Sequence, residues 1–597
     1  RGGTGKHLGF PLVGGTRLIP SKSMATAAQN RIESKFFTFD GGVDSGSAPD
    51  FILDNQVSQA INTTFRGGSP TCRPPYRRQR LVFDANATKW DFEDGFFQGA
   101  GSLSTDGGDV YLVASIGGKL FKTDLRNSFQ TSQVVIPGNQ NAPNLQKAWF
   151  CQAEGTLIVQ DTQSKPVFWD GAVCRRAADN EVPVGGPITY GQGRVWVGIR
   201  GAYVGGDIVY GDPIYGRNSV LRFTENQYLN EGGAFAVPRT DGDVTGLTFV
   251  AAQDAAQGVG GLMVSTGDGF YQFDAPTNRE EWKNTTQPLQ RFALLEYGSL
   301  SQESISLVNG DLFFRARDGI RSFKFARREF EGWGNTPISG EVDKPVSFDS
   351  EMLLGHASSV NFDNRLITTC LPTASERGVW HQGLAVLDFA LISKMNRKLP
   401  PVWEGTWTGI RVLQVLTVKV LGAKRCFAYA LDADMRICLY EILKSGSFDN
   451  DSTRIEWSLT TREVSPEEQT LWQLNTGDVW LQDVTGTMSM EVTYRGDGDA
   501  CWQPWHDWSE CVRNCFASET IPCFGWPQYY PASLPRRGLP VPAQTPDEYL
   551  KRPFRNAYSF QIRMKNRGKF TLNKARLVFQ AMTEPNFGTI VPSDSCP

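Results

Sequence analysis

The sequence predicts a mostly β fold: β-propeller-like repeats of antiparallel hairpins, an additional C-terminal β domain and an extended N-terminal arm. One observation is a recurring unit, in which a short apolar run, a turn of Gly and Asp, and a second alternating run follow one another. Another is the composition, because 61 Gly, 33 Pro, 37 Phe and 16 Tyr favour turns and strands. The third is that a helical apolar period is almost absent between residues 108 and 445.

The recurring unit predicts seven hairpins. They cover Gly108–Asp124, Gly155–Gly171, Gly193–Asp212, Gly261–Asp274, Gly310–Phe325, Asn364–Phe389 and Cys426–Ile442. Intervals of roughly 40 to 70 residues indicate radial repetition, in which each propeller blade buries its faces against its neighbours. The spacing is irregular and neither a WD nor a kelch signature occurs, so a series of β-sandwiches is the competing architecture.

Composition and charge exclude several classes of protein. With 40% hydrophobic and 21% charged residues in 597, the chain is not a disordered polymer. Lys and Arg number 60 and Asp and Glu 63, and this balance disfavours a protein that coats nucleic acid. No run of about 18 apolar residues occurs, and residues 1–24 lack the apolar core of a signal peptide, so neither a membrane span nor export is expected. Most of the eleven Cys are scattered, which is typical of a protein made in a reducing cytosol.

Residues 1–34 are predicted to be an extended basic arm. The first acidic residue of the chain is Glu33, and Gly pairs and Pro interrupt the basic residues before it. Such a segment cannot bury a core of its own. Two interpretations stay open, a disordered tail and an arm that becomes ordered on a neighbouring subunit.

Residues 35–80 are predicted to form a helix-and-loop segment. Asp54 and the two polar residues after it precede Val57, Ala60 and Ile61, a pattern that predicts a helix N-cap followed by one amphipathic helix. A basic cluster follows this helix and is either an intersubunit salt-bridge loop or a solvated face. Its members are Arg73, Arg77, Arg78 and Arg80.

The propeller-like domain is predicted over 81–450 and the C-terminal β domain over 451–597, with a Cys/Trp/Pro-rich excursion at 501–546. The excursion holds a cysteine group, namely Cys501, Cys511, Cys515 and Cys523. One spacing, Cys511-x3-Cys515, suits a structural zinc ion, whereas the other gaps do not form a second close pair. Disulfides and buried free thiols are the competing interpretations, and no cofactor is predicted.

Trp502, Trp505 and Trp508 lie three residues apart, so on a helical turn they would share one face. That face would either stack sugars or bases, or pack a domain junction. No catalytic motif marks a nucleophile, a metal site or a particular pair of acids, so the chain is not predicted to be an enzyme. Subunit contacts are predicted in the arm, the basic cluster and the 524–546 loop. Outside the basic cluster the candidates are Arg1, Lys6, Arg17, Trp526, Tyr529 and Tyr530.

Five phrases together resemble a family of tailed-bacteriophage virion proteins. They are FDGGVDSGSAPDFILDNQVSQAINTTFRGG (39–68), YGQGRVWV (190–197), LRFTEN (221–226), NGDLFFRARDGIRSF (309–323) and DVTGTMSMEVTYRGDGDACWQPW (483–505). The arrangement is similar to the nozzle proteins of short-tailed phages, propeller-bearing subunits that ring the exit of the tail tube. The basic arm and the 501–546 region depart from the arrangement, which leaves other virion positions open.

The resemblance implies a structural subunit of the virion tail, assembled in the host cytoplasm into a closed ring that extends the DNA-ejection channel. The implied partners are other copies in a hexameric ring, an adaptor or portal-proximal ring, tail fibres or spikes, and DNA that passes without specific binding. The alternative functions are a spike or adhesin that binds a host receptor or glycan, and a glycan-degrading propeller enzyme.

Overall fold

The computed structural model describes residues 31–199, 207–212, 219–224, 235–237, 239–250, 261–273, 291–323, 337–390, 401–466, 470–511, 536–542 and 555–582. All seven predicted hairpins are present there as antiparallel strand pairs. The N-terminal segment supplies six strands: β1 (Ile32–Phe37), β2 (Val57–Ile61), β3 (Thr63–Thr64), β4 (Thr71–Cys72), β5 (Tyr76–Arg78) and β6 (Val82–Phe83).

Seven successive groups of antiparallel strands, blades 1 to 7, occupy the described residues up to 442. Blades 1 to 5 are separate sheets, whereas blades 6 and 7 belong to one 16-stranded sheet with the C-terminal domain. Blade 1 is preceded by helix α1 (Asn86–Glu93) and contains β7 (Phe97–Ser104), β8 (Val110–Ile116), β9 (Lys119–Asp124) and β10 (Gln130–Val134). Blade 2 contains β11 (Trp149–Ala153), β12 (Thr156–Gln160), β13 (Val167–Trp169) and β14 (Cys174–Arg176). Blade 3 contains β15 (Ile188–Gly191), β16 (Arg194–Gly198), β17 (Asp207–Tyr210) and β18 (Phe235–Ala236).

Blade 4 contains β19 (Val244–Phe249), β20 (Leu262–Thr266), β21 (Phe270–Phe273) and β22 (Arg291–Leu295). Blade 5 contains β23 (Ser306–Val308), β24 (Asp311–Ala316) and β25 (Gly319–Ser322), and helix α2 (Asp343–Ser347) follows it. Blade 6 contains β26 (Ser359–Phe362), β27 (Arg365–Ser375), β28 (Gly378–Asp388) and β29 (Val402–Trp407), and blade 7 contains β30 (Arg411–Val420), β31 (Ala423–Leu431) and β32 (Ile437–Ile442). Short 3-10 turns lie at Ser219–Leu221, Arg239–Asp241, Gln302–Ser304, Ile338–Val342 and Glu351–His356.

The blades close into a ring. The first strand of each blade contacts the first strand of the next, except that the 3-10 turn at Gln302–Ser304 fills this place between blades 4 and 5. Strand β30 of blade 7 contacts β7 of blade 1, and the amide of Gln414 completes this contact. Its nitrogen donates to the Ala100 carbonyl (2.9 Å), and its oxygen accepts from the Ala100 N–H (2.8 Å). This closed radial arrangement is a β-propeller, and it excludes the series of sandwiches.

Alternating side chains build a separate apolar core between each pair of neighbouring blades. In β8, Leu112 packs into the core between blades 7 and 1, whereas Val113 packs into the core between blades 1 and 2. In β27, Leu366 faces blade 5 and Ile367 faces blade 7. Because both faces of these strands are buried, apolar residues occupy successive positions in them, as at Leu112 and Val113 and at Leu366 and Ile367.

The N-terminal segment closes the propeller from outside. Strand β5 pairs antiparallel with β32 and becomes the outermost strand of blade 7, with Tyr76 opposite Ile442. A few residues later, β6 pairs parallel with β10 at the edge of blade 1. One stretch of chain therefore holds the first and last blades together, so the ring does not depend on the contact between their inner strands alone.

The C-terminal domain is built around two long antiparallel strands. Its strands, after the small hairpin of β33 (Phe448–Asp449) and β34 (Thr453–Arg454), are β35 (Glu456–Thr461), β36 (Trp472–Gly496), β37 (Gln503–Cys511), β38 (Arg536–Leu539), β39 (Asn556–Ala557) and β40 (Phe560–Ala581). Strands β36 and β40 pair along nearly their whole length, with several β-bulges. The rings of Phe560 and Phe579 stack 5.5 Å apart, so the sheet curls until the two ends of β40 meet. No helix among the described residues is long and apolar enough to cross a membrane.

The N-terminal segment also belongs to the C-terminal domain. Strand β1 pairs with β40, and β2 pairs with β35 on one side and with β29 of blade 6 on the other. Phe37, Val57 and Ala60 contribute to the apolar core of the C-terminal domain. The first strand begins at Ile32, inside the segment predicted as an arm, whereas residues 1–30 lie outside the described residues.

The helix predicted after Asp54 is wrong, because residues 57–61 form strand β2. Its register shifts between Val57 and Gln59, which marks a β-bulge. The extra residue of a bulge puts side chains three apart on the same face, so Val57 and Ala60 are both buried although they lie in a strand. A bulged strand and one helical turn therefore both place residues three apart on the same face, which is the spacing on which the prediction depended.

Arg73, predicted as a subunit contact, instead holds strand β5 in place through contacts within the chain. Its guanidinium group binds both carboxylate oxygens of Asp449 (2.8 and 2.9 Å) and lies 3.6 Å from the ring centroid of Tyr76. The remaining donors bind the Asn62 side chain and the carbonyls of residues 74 and 408. Only 1% of its side chain is exposed, so the prediction of a contact with another subunit is wrong for Arg73.

We predict that Arg73→Met destabilises the protein by about 3 kcal/mol, because it leaves the Asp449 carboxylate without its buried partner. Arg77→Met is the matched control, since Arg77 pairs with Asp451 but both side chains are exposed, and it should change stability by less than about 1 kcal/mol. Urea unfolding of the two variants measures the difference. Equal effects would contradict the role of Arg73 as a lock.

Candidate functional site

The other members of the basic cluster, Arg77 and Arg78 in β5 and Arg80 after it, have exposed side chains. Arg77 pairs with Asp451 (2.7 Å) and Arg78 pairs with Asp432 (2.8 Å), while Arg80 is exposed. The role of these three arginines in subunit contacts stays a prediction. The other six contact candidates lie outside the described residues: Arg1, Lys6, Arg17, Trp526, Tyr529 and Tyr530.

One zinc ion held by all four clustered cysteines is incompatible with the fold. Cys501 is exposed and lies two residues before β37, whereas Cys511 is the last residue of that strand. Nine residues of extended strand span roughly 26 Å, far more than the separation of two ligands of one ion. Cys515 and Cys523 lie outside the described residues, so the pair Cys511 and Cys515 stays untested.

The three tryptophans do not form one exposed face. Strand β37 has a β-bulge at Trp505, so Trp505 and Trp508 both pack against the C-terminal core. Trp505 is buried in the C-terminal core and donates its indole N–H to the Pro540 carbonyl (2.7 Å). Trp508 is only partly buried against the same core and borders one groove, whereas Trp502 borders another. The prediction of a single aromatic platform is therefore wrong.

The propeller axis is filled with polar side chains at one level. The Lys147 ammonium group, from the segment before β11, binds Glu303 (2.5 Å), the Ser301 hydroxyl (3.0 Å) and the Gly355 carbonyl (2.7 Å). The cavity beside it measures about 20 Å³, room for a single water molecule. Burial, together with the charge of Lys147, lowers the pKa of His356 to about 4. At this level the axis is a packed ionic core rather than a passage.

A buried ionic network joins the N-terminal segment to blade 6. Arg66 binds both oxygens of Asp388 (2.8 and 3.1 Å) and also pairs with Asp363, while Arg365 binds Glu404 (3.1 Å) and the Thr64 hydroxyl (2.9 Å). Burial alone would raise the pKa of Asp388, but its bonds to Arg66 and the charge of Arg365 outweigh burial and bring the pKa below its ordinary value. The network fixes the β3–β4 turn against the propeller.

Between the C-terminal domain and blades 5 and 6 lies a cleft of about 430 Å³, which we call the junction cleft. One wall is apolar and includes Phe348, which is 79% exposed. The apolar and cationic side chains of the lining are Val43, Pro49, Ala60, Ile61, Val342, Lys344, Pro345, Phe348, Leu371, Arg495, Trp502 and Arg563. No Asp or Glu is among the described residues that line it, so the cleft is cationic.

Two half-buried guanidinium groups face the same indole in the junction cleft. The guanidinium carbons of Arg495 and Arg563 lie 4.7 and 4.0 Å from the ring centroid of Trp502. Arg495 donates to Gln561 (2.8 Å) and to the carbonyl of Asp499 (3.0 Å), and Arg563 donates to Thr460 (3.4 Å). Burial lowers the pKa of Arg563, and the charge of Arg495 lowers it further.

A second groove, of about 780 Å³, adjoins the junction cleft at Arg563. Its charges are balanced, since Lys565 pairs with Glu491 (3.4 Å) and Arg567 with Glu456 (3.8 Å). Trp508 lies on its border. We call it the balanced groove.

Comparisons with known proteins find likenesses among solved structures. No protein family matches the chain, and no curated protein matches it in sequence. Among solved structures, BamB from Moraxella catarrhalis is similar at 11% identity over 65% of this chain and 95% of BamB, with a TM-score of 0.31. YCF48 bound to D1 peptide is similar at 10% identity over 62% of this chain and 97% of YCF48, with a TM-score of 0.35. These are β-propeller proteins, and the likeness concerns the fold alone.

Glu341, beside the junction cleft, gives a pH-dependent prediction. Burial and the charge of Asp44 raise the pKa of Glu341 from 4.5 to about 7. Between these pH values the unfolded chain releases the proton while the folded chain keeps it, so stability falls as pH rises and the loss is complete above about pH 7. Glu341→Gln should therefore stabilise the protein by about 2 kcal/mol at pH 8, after allowance for solvent screening, and leave it unchanged at pH 4.5.

Chemical unfolding at both pH values measures this difference. The control is Glu376→Gln, since Glu376 is an exposed glutamate in the turn between β27 and β28. An equal effect of the two substitutions, or a Glu341→Gln variant that is less stable than the unsubstituted chain at pH 8, would contradict the assignment.

Proposed function

We propose that the chain is a structural subunit of a tailed-bacteriophage virion, most closely of the nozzle type. In this proposal, copies form a closed hexameric ring that extends the DNA-ejection channel of the tail, next to an adaptor or portal-proximal ring and to tail fibres or spikes. Assembly takes place in the host cytoplasm and requires no cofactor. The proposal rests on the resemblance of the five phrases and on one structural observation.

That observation is the path of the N-terminal segment through both parts of the molecule. Strands β1 and β2 belong to the C-terminal sheet, the β3–β4 turn is fixed to blade 6, and β5 and β6 close blades 7 and 1. A subunit that carries load in a particle needs its parts joined in this way, because a flexible linker would transmit no force between them. A single stretch of chain in both units supports a mechanical role.

The filled axis and the charge of the chain agree with this role. The ionic core around Lys147 leaves no passage for a duplex at that level, so in a ring the DNA channel would lie between subunits. A channel wall should bind DNA weakly, because each neutralised phosphate adds affinity and slows passage. The net charge of −3 is consistent with such a wall.

A second candidate function is a spike or adhesin that binds a host glycan. The balanced groove favours it, because Trp508 and several carboxylates and amides border an open space large enough for a short oligosaccharide. Glycan binding that is lost in Trp508→Ala, while Trp480→Ala retains it, would support this function. Turnover of the glycan would instead support the enzyme alternative.

We predict that the purified full chain forms rings and that a variant lacking residues 1–30 does not. Because β1 begins at Ile32, the deletion removes no described strand, so its melting temperature should equal that of the full chain. Mass photometry and negative-stain microscopy measure assembly. The triple variant R1Q/K6Q/R17Q keeps the length of the arm and tests whether its charge is required.

Rings that form equally well without residues 1–30 would contradict the role of the arm. Two results together would contradict the proposed function: the full chain stays monomeric at every concentration, and labelling of the particle places it outside the tail.

A further inference from the structure

Arg495 and Arg563 differ from the arginines that this protein neutralises with its own carboxylates. Among the described residues, half-buried Arg176 and Arg411 bind backbone carbonyl oxygens. Many other buried or half-buried guanidinium groups bind carboxylates of the same chain. The pairs are Arg66–Asp388, Arg73–Asp449, Arg315–Asp349, Arg365–Glu404, Arg425–Glu441 and Arg576–Asp478. Neither Arg495 nor Arg563 has a carboxylate partner among the described residues, and the two lie over one indole.

Two like charges held together without a counterion are unfavourable in the free protein, and a bound anion would relieve them. A guanidinium group offers two parallel N–H donors that match a carboxylate, and such charge-assisted bonds are stronger than neutral ones. Among the described residues, Arg563 makes one hydrogen bond, to the Thr460 hydroxyl at 3.4 Å. The site therefore has donors left for a ligand.

The rest of the junction cleft decides which kind of anion fits. Beyond the arginines, its lining includes Val342, Pro345 and the exposed ring of Phe348. A phosphodiester backbone or a hydrated sugar acid gains little from such a wall, whereas a peptide places apolar and acidic side chains on opposite sides of an extended strand. The volume of about 430 Å³ suits a short segment of a few residues.

We propose that the junction cleft binds an extended acidic segment of a partner protein, with a carboxylate on Arg495 and Arg563 and an apolar side chain against Phe348. This inference goes beyond the proposed function, because it requires only a partner with that chemistry. It concerns a single copy of the chain, so its failure and the failure of ring assembly are distinguishable.

Fluorescence anisotropy with the full chain tests the proposal. The probe is a labelled hexapeptide of alternating Glu and Phe, with Gln–Phe and Lys–Phe hexapeptides as controls. We expect saturable binding of the Glu–Phe probe only, weakened about tenfold by Arg563→Gln and by Arg495→Gln. Arg567→Gln is the matched control, because Arg567 lies on the same strand but pairs with Glu456, and it should change the affinity less than twofold.

Phe348→Ser separates a peptide site from a plain anion site. Because Phe348 is exposed, its substitution should leave the melting temperature unchanged, yet it should weaken binding of the Glu–Phe probe severalfold. Equal affinity of the Gln–Phe control would overturn the proposal, as would binding that Phe348→Ser and both arginine variants leave unchanged. Competition by acetate, phosphate or single-stranded DNA as strong as that by unlabelled Glu–Phe peptide would also overturn it.

Discussion

The structure depends on one constraint: residues 31–83 must pair with the propeller and with the C-terminal domain at once. Their strands complete the C-terminal sheet, bridge it to blade 6 and close the propeller between blades 7 and 1. Two buried ionic locks hold the segment in place, Arg73 with Asp449 and Arg66 with Asp388. These partners lie more than 300 residues away in sequence, so both locks close long loops of the chain.

This constraint also creates the junction cleft. Strand β2 brings Ala60 and Ile61 to the floor between the two units, and the end of β36 and the start of β40 bring Arg495 and Arg563 to its rim. Because paired strands join the two units, we expect the cleft to keep its shape, so that a ligand there loses little free energy in ordering the walls. The same rigidity that suits a load-bearing subunit therefore suits a preformed docking site.

The sequence predicted what local chemistry determines. The hairpins were predictable because turn residues and alternation lie within about 20 residues of each other. Strand β2 was not, because its bulge gives Val57 and Ala60 the spacing of a helix. The burial of Arg73 and the pairing of Arg495 with Arg563 over Trp502 depend on residues distant in sequence, and no local pattern distinguishes them from solvated charges. The assumed helical turn did not predict that Trp505 is buried while Trp502 and Trp508 border different grooves.

Peptide-resolved hydrogen exchange of the full chain in increasing urea tests the central claim most directly. The decisive peptides are those of β32, at the outer edge of blade 7, and β40, in the C-terminal sheet. If residues 31–83 join the two units into one cooperative body, both peptides lose protection in a single transition at the same urea concentration. Loss of protection in one of them at a clearly lower concentration, while the other stays fully protected, would contradict the account.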